Sequence, residues 1–485
     1  MAFFSLEFLF FFLVVFVFYY VIPQKYSYLW LLGASYFFYA SWSLKYTFVL
    51  LVITIISFFV ARLMRKWNKK LCLYCGVGLS IGVLYLFKFW KFWAEGLYIL
   101  FGITDKSTGG IITIIAPVGI SFYTLAAIGY MIDVYKGKIE SESHITKYAL
   151  FISFFPTVLS GPITRGGNFL KQIHAGAKFS YEKVKRGLLL IIWGYFLKLL
   201  IANRLAQIVD AVFASYTKQT GATLLIAMIL YGVQLYADFS GYSYIAIGIS
   251  HTLGFTITEN FKQPYFAKDI KDFWGRWHIS FSSWLKDYVY IPLGGNHCGK
   301  FRQYFNLFIT FIVSGIWHGT GLQFLVWGGL HGIYQIISRA CVPIKSRILD
   351  KLRIKRDCFS YHLFQSIITF GFVDLAWLFF RSESLYDALR YIKYILFNFQ
   401  LGNTIFNKLY LAGYDVTRFY ILLIEMLVLL LVDILHEKKV SLIGWLDLQN
   451  RAFRWMVYIC ILMVIVVGAI YDFGLEASTF IYTQF

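Results

Sequence analysis

Apolar residues fall along this chain in long blocks, not in the alternating or 3.6-residue patterns of water-soluble elements. A helix that crosses a bilayer needs about 20 mostly apolar residues. Ten blocks meet that need: residues 5–22, 28–43, 46–63, 71–88, 111–134, 187–205, 221–238, 361–380, 417–434 and 455–471. The first has no basic leader and no small-residue cleavage site, so it reads as a retained helix and not as a removed signal peptide. Two further stretches do not fit as simple spans. Residues 148–164 hold Pro156, Gly161 and Pro162, which interrupt a helix, and they read as a re-entrant hairpin. Residues 303–317 and 320–338 form a broken pair, and the first member has 15 residues. That is about 22 Å of helix at 1.5 Å per residue, short of the roughly 30 Å hydrocarbon core. The break from Ser314 to Gly321 is therefore expected at membrane depth, where broken helices build sites.

One segment is amphipathic. From Phe273 to Tyr290, residues Trp274, Trp277, Phe281, Leu285 and Tyr288 share one helical face, and Arg276, Ser280, Ser283 and Asp287 share the other. Its charges argue against a span, and a single helix lying in the membrane interface is expected. The pattern as a whole predicts an all-α polytopic membrane protein of about 11–13 transmembrane or re-entrant helices plus interfacial amphipathic helices.

Composition agrees. The 485 residues are 59% hydrophobic and 21% aromatic, and only 14% are charged. A soluble chain carries about 25% charged residues, and disordered, collagen-like, coiled-coil and disulfide-stapled classes are excluded. The net charge of +20 sits in short loops between apolar blocks, so it sets orientation and does not indicate a nucleic-acid partner. Arg62–Lys70 holds five basic residues, Arg165–Arg186 six against Glu182 alone, and Arg339–Arg356 seven against Asp350 alone. These mark the cytoplasmic side. Residues 382–417 balance three basic against three acidic residues and read as extracytoplasmic. Counting spans from these anchors puts both termini, and the tail 472–485, outside. The six cysteines are scattered, and Cys72-x-x-Cys75 reads as two packed thiols in an apolar run.

Most histidines lie in or beside loops (His144, His174, His362, His436) or read as a bonded residue within a helix (His251). His318 differs, because it falls in the glycine-flanked break. An imidazole there is expected to be neutral and able to accept a proton, as a general base acting on a hydroxyl must. The alternative is a ring that bonds a backbone carbonyl freed by the break. His278 lies at the edge of the aromatic stripe, where an interfacial anchor is the plainer role. His278, His297, Cys298 and His318 share metal-ligand chemistry but show no zinc-type spacing, so no metal is expected. Asp238 ends an apolar block, either as a helix-end cap or as a polar group lining a cavity. No Walker loop, dinucleotide fingerprint or Gly-x-Ser-x-Gly elbow is present.

Eight segments in order give the sequence a resemblance to a known family. They are Pro117–Thr124 with Ile132–Tyr135, Phe154–Pro156 with Ser160–Ile163, Asp238–Ser243, Phe273–Ser280, Pro292–Asn296, Gly315–Gly319, Trp327–Gly332 and Leu378–Arg381. Together they resemble the membrane-bound O-acyltransferase (MBOAT) family, in its bacterial branch of alginate and peptidoglycan O-acetylation and of D-alanyl transfer to teichoic acid. The resemblance implies a single domain over residues 1–485, with N-terminal helices to residue 110, a catalytic core over 111–340, C-terminal helices over 341–471 and a tail beyond. It implies a ring of helices around a thin centre with a tunnel, His318 as the essential histidine and His278 as the second characteristic one. Asp238, Ser240, Asn296 and Trp317 stand in matching motifs as tunnel- or substrate-lining candidates. No bound cofactor is implied. The donor would be a cytoplasmic acyl thioester, foremost acetyl-CoA, and the acceptor an extracytoplasmic polysaccharide, commonly reached through an SGNH-type acyltransferase partner in a bacterial cytoplasmic membrane. Phe480–Phe485 resembles the C-terminal motif that carries the acyl group in the small companion protein of the D-alanyl system, which makes Tyr482 a candidate acyl relay, with an aromatic anchor as the alternative. The chain departs from the family at Ala126, Tyr244 and His297, where Gln, Asp and a basic residue are frequent. D-alanyl transfer to teichoic acid, acylation of a lipid or protein, and a transporter without acyl chemistry are the competing readings, and no convincing repeat between the halves favours the last.

Overall fold

A computed structural model describes residues 1–90, 116–400 and 416–471. Among the described residues there is no strand, and seven helices are long and apolar enough to cross a membrane. Chain contacts divide the protein into two compact units, Met1–Leu190 with Ile245–Thr258, and Ile191–Tyr244 with the residues from Glu259 onward.

The first unit holds α1 (Leu6–Val21), α2 (Gln24–Ala40), α3 (Leu44–Leu63), α4 (Lys69–Lys88), α5 (Ile120–Tyr135), α6 (Ile145–Ser153) and α7 (Gly166–Ala175). Phe3, Phe8, Phe38 and Phe155 form its aromatic core. Of the expected 111–134 block, residues 111–115 lie outside the described residues, and the described part turns at Gly119, with φ 79°, and is helical from Ile120. A side chain at Gly119 would lie 2.2 Å from the Val158 carbonyl oxygen, so only glycine fits this approach. The 148–164 stretch becomes α6 followed by a buried, non-helical run through Pro156 and Pro162, as its prolines require. His174, read from the sequence as in or beside a loop, lies in the last turn of α7, between the Glu142 carboxylate at 2.7 Å and the Lys147 ammonium at 2.8 Å.

The second unit takes the later parts of α8 (Tyr181–Ala214) and the earlier part of α9 (Gly221–Thr252). It continues with α10 (Ile270–Arg276), α11 (Ile279–Leu285), α12 (Lys300–His318), α13 (Leu322–Ala340), α14 (Val342–Lys351) and α15 (Phe359–Arg381). It closes with α16 (Leu385–Phe397), α17 (Val416–Glu437), α18 (Leu442–Asp447) and α19 (Arg451–Tyr471). Three expectations change here. The 273–290 segment is not one helix: it breaks at Trp277–His278 into α10 and α11, followed by a π turn over Lys286–Tyr290. The first member of the broken pair begins at Lys300, and its 19 residues reach about 28 Å at 1.5 Å per residue, so the length argument for a thin membrane at the break falls away. The block expected to end at Asp238 runs on to Thr252.

Two devices hold this unit together. The first is close helix contact. A side chain at Gly315 of α12 would lie 2.4 Å from the Phe324 carbonyl oxygen of α13, and one at Gly328 would lie 2.3 Å from the Phe311 carbonyl oxygen of α12. Small residues on both helices thus let the backbones touch. The second is a stripe of acids on α17, a helix the sequence read as a plain apolar span. Glu425 receives the Arg204 guanidinium of α8 at 2.5 Å, Asp433 accepts the Tyr236 hydroxyl of α9 at 3.2 Å, and Glu437 takes Arg276 of α10 at 2.6 and 3.2 Å. The residues are spaced 8 and 4 apart, so they share one face. Each binds α17 to a different helix.

Gly328→Leu is expected to force α12 and α13 apart and lower the thermal midpoint of the detergent-solubilised protein by several degrees; an unchanged midpoint would contradict the contact. Glu425→Gln, which takes the carboxylate from the buried Arg204 guanidinium while its bond to the Gly468 carbonyl remains, is expected to cost roughly 2 kcal/mol. The double variant Arg204→Met with Glu425→Leu should be more stable than Glu425→Gln alone, as measured by thermal unfolding.

Candidate active site

The site is built where α10 gives way to α11 and where α12 ends. Arg276 closes α10, with its Nε–H donated to Asp272 at 2.7 Å and its two terminal nitrogens to Glu437. The chain then reverses at His278, whose backbone adopts the left-handed conformation at φ 44° and ψ 52°. That conformation costs an ordinary side chain roughly 1–2 kcal/mol, so the surroundings must enforce it. Asn260 does so: its carbonyl accepts the Ile279 N–H at 3.0 Å, its Oδ1 accepts the Ser280 N–H at 3.2 Å, and its Nδ2 donates to Ser243 Oγ at 3.2 Å. Asn260 is itself buried. Strain held by a buried hydrogen-bond network is a mark of functional turns.

The turn drives the His278 ring inward, where it is 1% exposed. It meets Phe239 edge-on at 4.7 Å, Phe281 at 5.0 Å and Trp317 at 6.3 Å between ring centroids. Burial lowers its pKa to about 3, so the ring is neutral at physiological pH. His318 is the last residue of α12 and is 3% exposed. Its ring lies 4.7 Å from Trp317, 4.8 Å from Trp327, 5.3 Å from Phe380 and 5.6 Å from Phe281. Phe281 and Trp317 stack on each other at 4.3 Å. Both imidazoles therefore pack against one aromatic pair, although 40 residues separate them in sequence. Gly319 and Gly321 let the chain leave α12 at once, since a side chain at Gly319 would lie 2.2 Å from the Phe324 ring.

Two buried imidazoles in a dry aromatic shell suit proton transfer. The low dielectric strengthens the interaction with any charge that develops on a bound group, and an aromatic lining disfavours water. Among the described residues no three of His, Cys, Asp or Glu gather as metal ligands. His297 is exposed, whereas His278 and His318 are buried.

The remaining sequence candidates divide. Trp317 joins the pair directly. Asp238 is not at a helix end, which removes the cap reading: it sits within α9, and its carboxylate receives the buried Lys198 ammonium at 2.6 Å. Ser240 donates its hydroxyl to the Tyr236 carbonyl of its own helix at 2.6 Å. Of this motif it is Phe239 that reaches His278. Asn296 is exposed and accepts from Tyr290 at 2.7 Å and Gln303 at 2.5 Å. Tyr482 lies outside the described residues. Sequence reasoning passed over Asn260, Lys198 and His331. Lys198 carried a usable signal, because a lysine inside an apolar block demands a partner. Asn260 had none, since its role is fixed by a fold that brings it to a distant turn.

Residues 138–380 match the model of MBOAT, the membrane-bound O-acyltransferase family. The chain is 36% identical over 396 residues to a Pseudomonas putida protein named "probable alginate O-acetylase", covering 80% of this chain and 79% of that one. It is 35% identical over 395 residues to the peptidoglycan O-acetyltransferase of Helicobacter pylori, covering 75% and 73%. The teichoic acid D-alanyltransferase of Bacillus subtilis is 31% identical over 229 residues, covering 45% and 58%. His278 and His318 both fall inside the matched region. With its apolar helices and this match, the chain belongs to the membrane-bound O-acyltransferase family and is a multi-pass membrane O-acyltransferase.

Proposed function

We propose that the protein transfers an acetyl group from a cytoplasmic thioester, acetyl-CoA, to hydroxyls of an extracytoplasmic cell-envelope polysaccharide. The observation that carries the chemistry is the packing of His278 and His318 against one stacked aromatic pair. What supports acetyl over D-alanyl is the extent of the matches: relatives named for O-acetylation align over 75% or more of the chain, and the Bacillus D-alanyltransferase over 45%. Membership in an acyltransferase family removes the reading of a transporter without acyl chemistry.

In the proposed reaction His318 accepts the proton of the acceptor hydroxyl as its oxygen attacks the thioester carbonyl. The new C–O bond forms, the C–S bond breaks, and the proton passes from the imidazole to the departing thiolate. His278, neutral and held by its turn, orients the reacting groups. The thioester enters from the cytoplasmic side and the acceptor from the other, through the tunnel that the family resemblance implies. We place the protein in a bacterial cytoplasmic membrane with both termini outside, and with an SGNH-type acyltransferase as partner. As the proposed relay, Tyr482 in the outer tail is the first acceptor hydroxyl in this step, and a polymer hydroxyl then attacks the acetyl–tyrosine ester, breaking its C–O bond and returning the proton to the phenol; a phenol with a pKa near 10 needs a base to become a nucleophile.

Purified protein in detergent is expected to cleave acetyl-CoA, and His318→Ala to lower that rate by about 10² to 10⁴. His278→Ala should lose less. Cleavage unchanged in His318→Ala would overturn the assignment of the base. In cells Tyr482→Phe, which keeps an aromatic anchor and removes the first nucleophile, is expected to abolish polymer acetylation and, in the purified protein, to slow acetyl-CoA cleavage. Full acetylation by this variant would sink the relay.

A further inference from the structure

His331 takes no part in the reaction as drawn, yet it is the most enclosed histidine of the second unit, at 0% exposure on α13. Its Nδ1 accepts the indole N–H of Trp274 from α10 at 3.3 Å. An indole nitrogen can only donate. His331 Nδ1 therefore carries no proton, and the ring is neutral with its proton on Nε2. One turn further along α13, Gln335 donates to the Ile270 carbonyl at the start of α10, at 3.5 Å. The short α10 is thus strapped along α13 by two polar contacts.

The strap touches both halves of the site. Trp274 lies four residues before His278, on the helix whose end sets the left-handed turn. On α13 the Trp327 indole sits between the two rings, 4.8 Å from His318 and 5.1 Å from His331. Trp327 also stacks on Trp377 at 5.8 Å, so it has little room to shift. Phe273 lies parallel to the His331 ring, with an interplanar angle of 4° and a centroid distance of 6.3 Å. A purely apolar residue of similar size would fill this space. Only an acceptor at the Nδ1 position can hold the indole N–H, and a buried donor left unpaired is costly.

We propose that His331 is a positioning residue. By accepting the Trp274 indole N–H it locks α10 onto α13 and fixes the relative placement of His278 and His318. This rests on the acyl-transfer reading of that pair for its kinetic consequence, but not for the tie itself.

The test uses the full chain in detergent with acetyl-CoA as probe. His331→Phe keeps ring volume and removes the acceptor. His331→Asn places an oxygen where Nδ1 stood, and His331→Gln places one where Nε2 stood. Trp274→Phe removes the donor. His331→Phe and Trp274→Phe are each expected to lower kcat about tenfold to a hundredfold, with KM for acetyl-CoA within about twofold. The double variant should be no slower than either single one, because both remove the same bond. His331→Asn should recover most of the rate and His331→Gln should not. Equal loss in the Asn and Phe variants, or additive losses in the double variant, would overturn the proposal. Melting temperatures of the same cycle read the tie without any activity: a non-additive double variant supports it, and strict additivity contradicts it. If His318→Ala cleaves acetyl-CoA as fast as the unaltered protein, the acyl-transfer reading fails and the melting cycle still decides the tie.

Discussion

Everything at the candidate site depends on two helices touching through glycine. Gly315 and Gly328 bring α12 and α13 into backbone contact, with carbonyl oxygens standing where side chains would be. That approach sets Trp327 against the His318 ring, and the glycine turn after His318 lets α13 begin without delay. Van der Waals packing of this kind is the main attraction between helices in lipid, where apolar surface gains nothing by leaving the solvent. The aromatic shell follows from it. Trp317, Trp327, Phe380 and Phe281 surround one imidazole, and two of them also border the other.

A dry interior makes polar groups expensive unless they are paired, and this protein uses that constraint as its means of orientation. Along α17 three acids select three different helices. Lys198 and Asp238 find each other across α8 and α9. The turn at His278 is dictated by Asn260, a side chain with one conformation that satisfies both donor and acceptor. Each contact has a partner at a fixed position, so together they specify where α9, α10 and α17 lie in the second unit. Apolar packing alone would permit them to slide.

Much of this was legible in the sequence because bilayer helices announce themselves by length and apolarity. The block boundaries at residues 46–63, 71–88, 361–380 and 455–471 fall within a few residues of α3, α4, α15 and α19. Failures came where polar residues sit inside elements. Asp238 looked like a helix end because a carboxylate stops an apolar count, whereas Lys198 neutralises it and the helix continues. The stripe of residues 273–290 looked like one amphipathic helix because periodicity cannot register a single left-handed residue at its centre. His318 stood out by its flanking glycines. His331 has glycine neighbours too, but its importance lies in a partner 57 residues away, which no local pattern reveals. The catalytic assignment of His278 and His318 owes as much to the family's motif order as to burial and ring geometry.

A thioester that reacts beside His318 must bring its acyl group into the aromatic shell, and a structure of the purified protein holding a non-hydrolysable acetyl-CoA analogue would show it there. The acyl carbon is expected within about 3–4 Å of the hydroxyl site served by the His318 imidazole, with His278 on the same aromatic pair. An analogue bound with its acyl group outside the shell of Phe281, Trp317 and Trp327 would contradict acyl transfer at His318.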